Sequence, residues 1–357
     1  MLDQPVLHRY QPTDREEVFD FIRAMFPADV SARIIAQWGW KYDANPFNPP
    51  DGPIIHLVRV GSKLVSQIAT FRVPLWAAGT KCMAENRGDQ VVHPDYRRQK
   101  LWQRVNLKQS VETPIALGWS GDISTRAAMV GGWVPGPVSK LWRVLDPGPF
   151  IERFTHSRLL GSLGAGAGAA SWGAGAPLRR RRDRQVGARI RLDSFDESVD
   201  ALWERARRAD KAMLVRDHRY LNWRYCQRPD ARYSLFGIKR NSELAGFLVA
   251  RATTRDGIKW GYLVDFLTAE DSTDVLSALL DDALDEFRRL GVAAVSCFAT
   301  DPASRRTLLR RGFFPVPQRD PSHFVRRIHR GRPDLQKFAT LGEWYVTMGD
   351  GDYEMTF

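Results

Sequence analysis

The sequence predicts a mixed α/β protein of two tandem domains, each a mixed, mostly antiparallel sheet flanked by helices. Three observations carry this expectation. The chain is 357 residues long, room for about two ordinary domains. A Gly/Ala tract running into Arg179-Arg180-Arg181-Arg182 divides it near the middle. On either side of that division the same landmarks recur in the same order.

The first landmark is an aromatic motif. Trp40-Lys41-Tyr42 with Pro46 has its counterpart in Trp223-Arg224-Tyr225 with Pro229, at one constant offset. An apolar strand, a polar turn and a second strand follow each copy. These are Ile54 to Val60 and Leu64 to Val73 in the first half, and Tyr233 to Ile238 and Leu244 to Ala252 in the second. Next comes a strand with one acid, Gly88-Asp89-Gln90-Val91-Val92 against Val264-Asp265-Phe266-Leu267-Thr268, each leading into a helix. In the second half that helix spans Ser272 to Leu290, with Val275, Leu279, Leu280, Ala283, Leu284 and Phe287 at helical spacing and Gly291 at its end. Gly132-Trp133-Val134-Pro135 and Gly312-Phe313-Phe314-Pro315 close a further short helix in each half. The expected organisation is residues 1–155 for the first domain, 156–188 for a linker, 189–335 for the second domain and 336–357 for a C-terminal extension.

Composition narrows the function. With 43% hydrophobic and 26% charged residues the chain is globular rather than disordered. Cys82, Cys226 and Cys297 stand far apart, which disfavours a disulfide framework or a cysteine zinc site, and no metal is expected. The uncharged run Leu159 to Leu178 is mostly Gly and Ala, so it reads as a flexible linker and not as a transmembrane segment. Met1 to Pro5 has no secretory-signal character, so a cytoplasmic protein is expected. The net charge of +12, a third of it in the run from Arg179 to Arg184, suits nucleic acid, anionic lipid or phosphorylated ligands alike, with no nucleic-acid-binding signature to single one out.

One segment points further. Val91-Val92-His93-Pro94-Asp95-Tyr96-Arg97-Arg98-Gln99-Lys100-Leu101-Trp102 is a strand end that turns into a helix. It resembles the strand and pyrophosphate loop of the GCN5-related N-acetyltransferase superfamily, and the order of elements resembles that family over most of both halves. The resemblance implies an acyltransferase that takes acetyl-CoA or another acyl-CoA as co-substrate. Backbone N–H groups at a helix start would cradle the pyrophosphate, helped by the helix dipole. Candidate cofactor-binding residues are Val91, Val92, Arg97, Arg98, Gln99, Lys100, Leu101, Trp102 and Ser124. The match departs from the family at Lys100, where a glycine is usual, and at Trp102, where a small residue is usual. The second half offers Ala269-Glu270-Asp271-Ser272-Thr273-Asp274, whose acids would repel a pyrophosphate, so it reads as a copy without a cofactor site.

Acyl transfer to an amine needs a base for the ammonium, polarisation of the thioester and a proton for the thiolate. Asp89 and then Glu85 are the candidate bases, with an ion pair to Arg87 or Arg126 as the competing role for Asp89. No tyrosine stands between Asp122 and Trp133 to serve as the acid. The Trp-basic-Tyr motif, present in both halves, reads first as packing. Arg216 to Tyr225 also resembles a segment of tandem acetyltransferase-like proteins from bacterial polysaccharide gene sets, which implies a small-molecule or amino-sugar acceptor. Two other readings stay open: a FemABX-type transferase using aminoacyl-tRNA, and a catalytically inactive protein that keeps the fold for binding.

Overall fold

The computed structural model describes residues 4–99, 101, 113–155, 186–269, 272–317 and 322–356. The linker, Lys100 and Trp102 lie outside the described residues. Helices α1 (Arg15–Met25) and α2 (Ala28–Trp38) open the first half, and a short π-helix, Gly39–Asp43, carries the aromatic motif. Strands β1 (Val6–Arg9), β2 (Ile55–Val60), β3 (Lys63–Ala77), β4 (Thr80–Val92) and β5 (Ile115–Ser120) follow one another across a sheet. Helix α3 (Asp122–Val130), β6 (Val134–Pro137), β7 (Lys140–Val144) and α4 (Gly148–Thr155) complete this half.

The second half repeats the scheme with β8 (Ala188–Leu192), α5 (Ser198–Ala206), β9 (Met213–Leu214), α6 (His218–Leu221) and a second π-helix, Asn222–Cys226. Then come β10 (Ser234–Arg240), β11 (Glu243–Arg255), β12 (Ile258–Thr268), α7 (Thr273–Arg289), β13 (Ala294–Phe298), α8 (Pro302–Arg310), β14 (Phe314–Pro315) and β15 (His323–Ile328). Helix α7 forms because its apolar residues fall on one stripe; Val275, Leu279, Ala283 and Leu284 are buried to the last atom.

Both sheets are mixed, with antiparallel pairs except for β4 with β5 and β12 with β13. Each sheet also takes strands from the other half, β9 and β15 in the first and β7 in the second. The first runs β1-β2-β3-β4-β5-β15-β6, with β9 on β3, and the second runs β14-β7-β13-β12-β11-β10-β8. Thus β15 sits between β5 and β6, and β7 sits between β13 and β14. Sequential reading cannot show this exchange, because a strand's pattern reports a buried face and not which neighbour supplies its hydrogen bonds.

The aromatic motif lies where the halves meet. The rings of Trp40 and Trp223 stack with centroids 5.1 Å apart. Each indole N–H donates to the other's backbone carbonyl, at 2.7 and 3.2 Å. Such a reciprocal contact is what two equivalent surfaces make about a two-fold axis, here within one chain. Both rings are buried, so the motif packs, as its sequence suggested.

The C-terminal stretch is no peripheral tail. Trp344, Val346, Thr347, Met348, Asp350, Glu354 and Met355 are all buried between the halves. Glu354 is fully enclosed by Arg224, Arg228 and Arg251, with the Tyr233 hydroxyl donating to it at 2.9 Å. Among the described residues no helix is long and apolar enough to cross a membrane.

Candidate functional site

The site begins with a defect in the first sheet. Ile68 on β3 faces Gln90 on β4, yet Thr70 faces Arg87, so Gly88 and Asp89 stand opposite Ala69 alone. This β-bulge re-aims the side chains around it. Glycine is required at its first position, since a Cβ there would lie 2.3 Å from the Tyr42 hydroxyl oxygen. The bulge turns Asp89 toward the π-helix, where the Tyr42 hydroxyl donates to Oδ2 at 2.8 Å and Lys41 Nζ at 3.1 Å. The predicted Arg87 or Arg126 partner is replaced by Lys41. Its nearness was hidden because it lies 48 residues away in sequence.

The parallel ladder between β4 and β5 is short. It runs from the Ala84–Ile115 pair to the Asn86–Leu117 pair and stops there. Beyond it the strands diverge around a cavity of about 300 Å³, lined by Arg87, Gly88, Gln90, Val91, Val92 and Ser124 with Trp119, Ser120, Ala127 and Val325. A second cavity of about 240 Å³ opens near the same bulge, lined by Gly88, Asp89, Gln90 and Lys41, by Ile34 and Gln37 of α2, and by Asp352 and Met355 of the C-terminal stretch. Gly88 and Gln90 line both cavities. The two spaces therefore share one short piece of backbone as a wall.

Electrostatics separate the two carboxylates of the second cavity. Asp89 is held by a cation and a hydroxyl. Asp352 is raised to about 6, chiefly by desolvation, with Lys41 acting to lower it and Asp89 to raise it. A carboxyl in that range is a competent base near neutral pH. Burial and the neighbouring Asp89 push the Tyr42 hydroxyl well up, so it remains a proton donor.

The other predicted residues take varied places. Val91, Val92 and Ser124 line the first cavity, and Ser124 Oγ also donates to the Gly121 carbonyl at 3.0 Å at the start of α3. Arg97 is exposed and its Nε donates to the Val92 carbonyl at 3.3 Å. Gln99 is exposed, and Leu101 is buried with Val58, Val65 and Ile68. The side chain of Arg98 lies outside the described residues, as do Lys100 and Trp102. Glu85 sits within the paired part of β4, is 3% exposed, accepts from the Thr113 hydroxyl, and lines neither cavity. Sequence reasoning missed Asp352, Lys41, Arg87 and Trp119. Only the Lys41 position carried a signal, the duplicated Trp-basic-Tyr motif.

In the second half, β12 and β13 likewise pair only from Trp260–Ala294 to Leu263–Cys297. There the gap is occupied by the C-terminal stretch. Thr347 bridges to Ala299, the Gly349 N–H donates to the Val264 carbonyl at 2.6 Å, and the Tyr345 hydroxyl donates to the Phe266 carbonyl at 2.6 Å. Asp265, the counterpart of Asp89, is 1% exposed and bonded to Arg216 and Tyr225, each at 3.0 Å. Among the described residues no cluster of three His, Cys, Asp or Glu side chains could hold a metal ion.

Comparison with solved structures shows the fold. The chain is similar to Saccharomyces cerevisiae N-myristoyltransferase with bound myristoyl-CoA, with a TM-score of 0.57 and 13% identity over 92% of this chain and 83% of that one. It is similar to a probable N-acyltransferase of unknown function from Enterococcus faecalis V583, with a TM-score of 0.56 and 10% identity over 94% and 74%. A GCN5-related N-acetyltransferase from Kribbella flavida matches with a TM-score of 0.53 and 14% identity over 92% and 71%. No family model and no curated protein matches the sequence.

Proposed function

We propose that this protein is a cytoplasmic N-acyltransferase that moves an acyl group from coenzyme A, acetyl in the simplest case, to the amine of a small molecule such as an amino sugar. The observation that carries this reading is the pair of cavities sharing Gly88 and Gln90, one open along the free edge of β4 and the other lined by Asp89 and Asp352. A pantetheine arm has amides that can pair with a strand edge as another strand would. The edge from Arg87 to Val92 supplies that template, Ser124 and Gln90 supply further polar contacts, and the sequence motif from Arg97 to Trp102 is assigned to the phosphates. The fold shared with acyltransferases supports the same assignment by analogy.

The reaction then runs across the shared wall. Asp352 takes a proton from the bound ammonium. The freed amine nitrogen attacks the thioester carbonyl at the level of the bulge, a backbone N–H of the shared wall stabilises the developing oxyanion, the C–S bond breaks, and the thiolate takes up the second proton that the nitrogen sheds. Asp89, fixed by Lys41 and Tyr42, orients the ammonium. The first half, with Asp352 supplied by the C-terminal stretch, carries the chemistry, and the second domain serves as its frame.

Isothermal titration of acetyl-CoA into the wild-type protein and Ala127→Trp, which fills the first cavity, tests the donor site. Saturable binding that the tryptophan abolishes supports it. No binding by the wild type overturns it in favour of an aminoacyl-tRNA donor or an inactive binding protein, which tRNA titration at two salt concentrations then tells apart.

A further inference from the structure

The first cavity has a charge that the transfer of acetyl does not use. Among the described residues lining it, Arg87 carries the only formal charge; the others are Gly88, Gln90 and a set of hydroxyl and apolar side chains. The placement of that guanidinium is built. Arg87 lies over the Trp133 ring at 4.1 Å, with Arg327 of β15 over the same ring at 5.3 Å. On β5 the facing residue is Gly118, where a Cβ would come within 3.0 Å of the Arg87 Cβ, so the absence of a side chain there leaves the arginine its room.

Position along the strand assigns its partner. Arg87 is five residues back from Val92, at most about 17 Å along the strand and somewhat less with the bulge at Gly88 and Asp89, a length comparable with a pantetheine arm. A donor with its phosphates beyond the end of β4 therefore brings its acyl group, not its phosphates, to the level of Arg87. Val91, Trp119 and Val325 offer apolar walls for methylene groups at that end. Burial and the like charge of Arg327 weigh against the charged form of Arg87, Asp352 favours it, and an anion in the cavity favours it further. Resting on the donor reading above, we propose that the acyl group carried here ends in a carboxylate, as in a dicarboxylic acid monothioester, and that Arg87 holds that carboxylate.

The test compares succinyl-CoA with butyryl-CoA, acyl groups of equal carbon number, together with coenzyme A itself, by isothermal titration into the wild-type protein, Arg87→Met and Arg87→Lys. Because the succinyl-to-butyryl ratio is read within each protein, a general loss of affinity in a variant cancels. The wild type is expected to prefer succinyl-CoA about tenfold or more, as a charge-assisted hydrogen bond allows, with the preference lost in Arg87→Met and partly kept in Arg87→Lys. Coenzyme A binding without any succinyl preference overturns this proposal alone. A preference that survives Arg87→Met overturns the role of Arg87. No binding of coenzyme A or either thioester overturns the donor reading and this one with it.

Discussion

The two halves place equivalent residues in equivalent elements and put them to opposite uses. In the first, the gap between β4 and β5 is open, and Asp89 faces a cavity with a lysine and a tyrosine on it. In the second, the gap between β12 and β13 holds Tyr345 to Asp350, and Asp265 is sealed with Arg216, Tyr225 and Thr347. The matching tyrosines make the same bond to the matching aspartates. What differs is whether a chain segment fills the space between the diverging strands. One scheme of elements thus leaves one cleft open and closes the other.

The sharpest way to break this contrast is Arg216→Met. It leaves Asp265 and Asp350 buried without their shared cation, and removing one partner of a buried network costs about 3–5 kcal/mol, so thermal melting should fall steeply. A smaller melting change than that of Lys41→Met would mean that the second half is not the structural one.

Acid probes the same seal. Desolvation pushes Glu354 up, but Arg224, Arg228 and Arg251 outweigh it and hold the carboxyl down at about 2, against 4.5 for a free glutamate. Because the folded value lies below the unfolded one, its contribution is full above about 4.5 and disappears as pH falls toward 2; 2.5 units correspond to about 3 kcal/mol. Denaturant unfolding at pH 7, 5 and 3 should show this decline, and Glu354→Gln should flatten it.

For the open half, Asp352→Asn should lower kcat/KM for acyl transfer about 100-fold or more, since it removes the base. In the wild type the rate should rise with pH through about 6 as Asp352 loses its proton, and the substitution should remove that limb. The smallest effect belongs to Lys41→Met. Lys41 lowers the Asp352 value, so its loss should move the limb upward by up to about one pH unit. A downward shift would place Lys41 elsewhere than beside the base.

Much of the scaffold was legible because it is written in local pattern. Alternating strands, the apolar stripe of α7 and the doubled Trp-basic-Tyr motif announce their elements wherever the chain goes. Val91, Val92, Ser124 and Asp89, which line the two cavities, were named for the same reason, since they belong to the strand and helix that the motif marks. Asp352 was not, as nothing near it in sequence distinguishes it from a surface acid. Arg87 was read as a partner for Asp89, because alternation places residues two apart on one face, and the bulge at Gly88 breaks that alternation.

The sequence by itself determined the α/β class and the order of the elements, and its motif drew attention to β4. Only the tertiary structure decided that β7 and β15 change sheets, that the C-terminal stretch fills one cleft, and that Asp352 faces Asp89 across the other. Propensity and periodicity act over a few residues, whereas Trp119 reaches the Asp350 carbonyl across 231. Which cleft stays open depends on which buried charges find partners, and that is settled only when distant parts of the chain pack together.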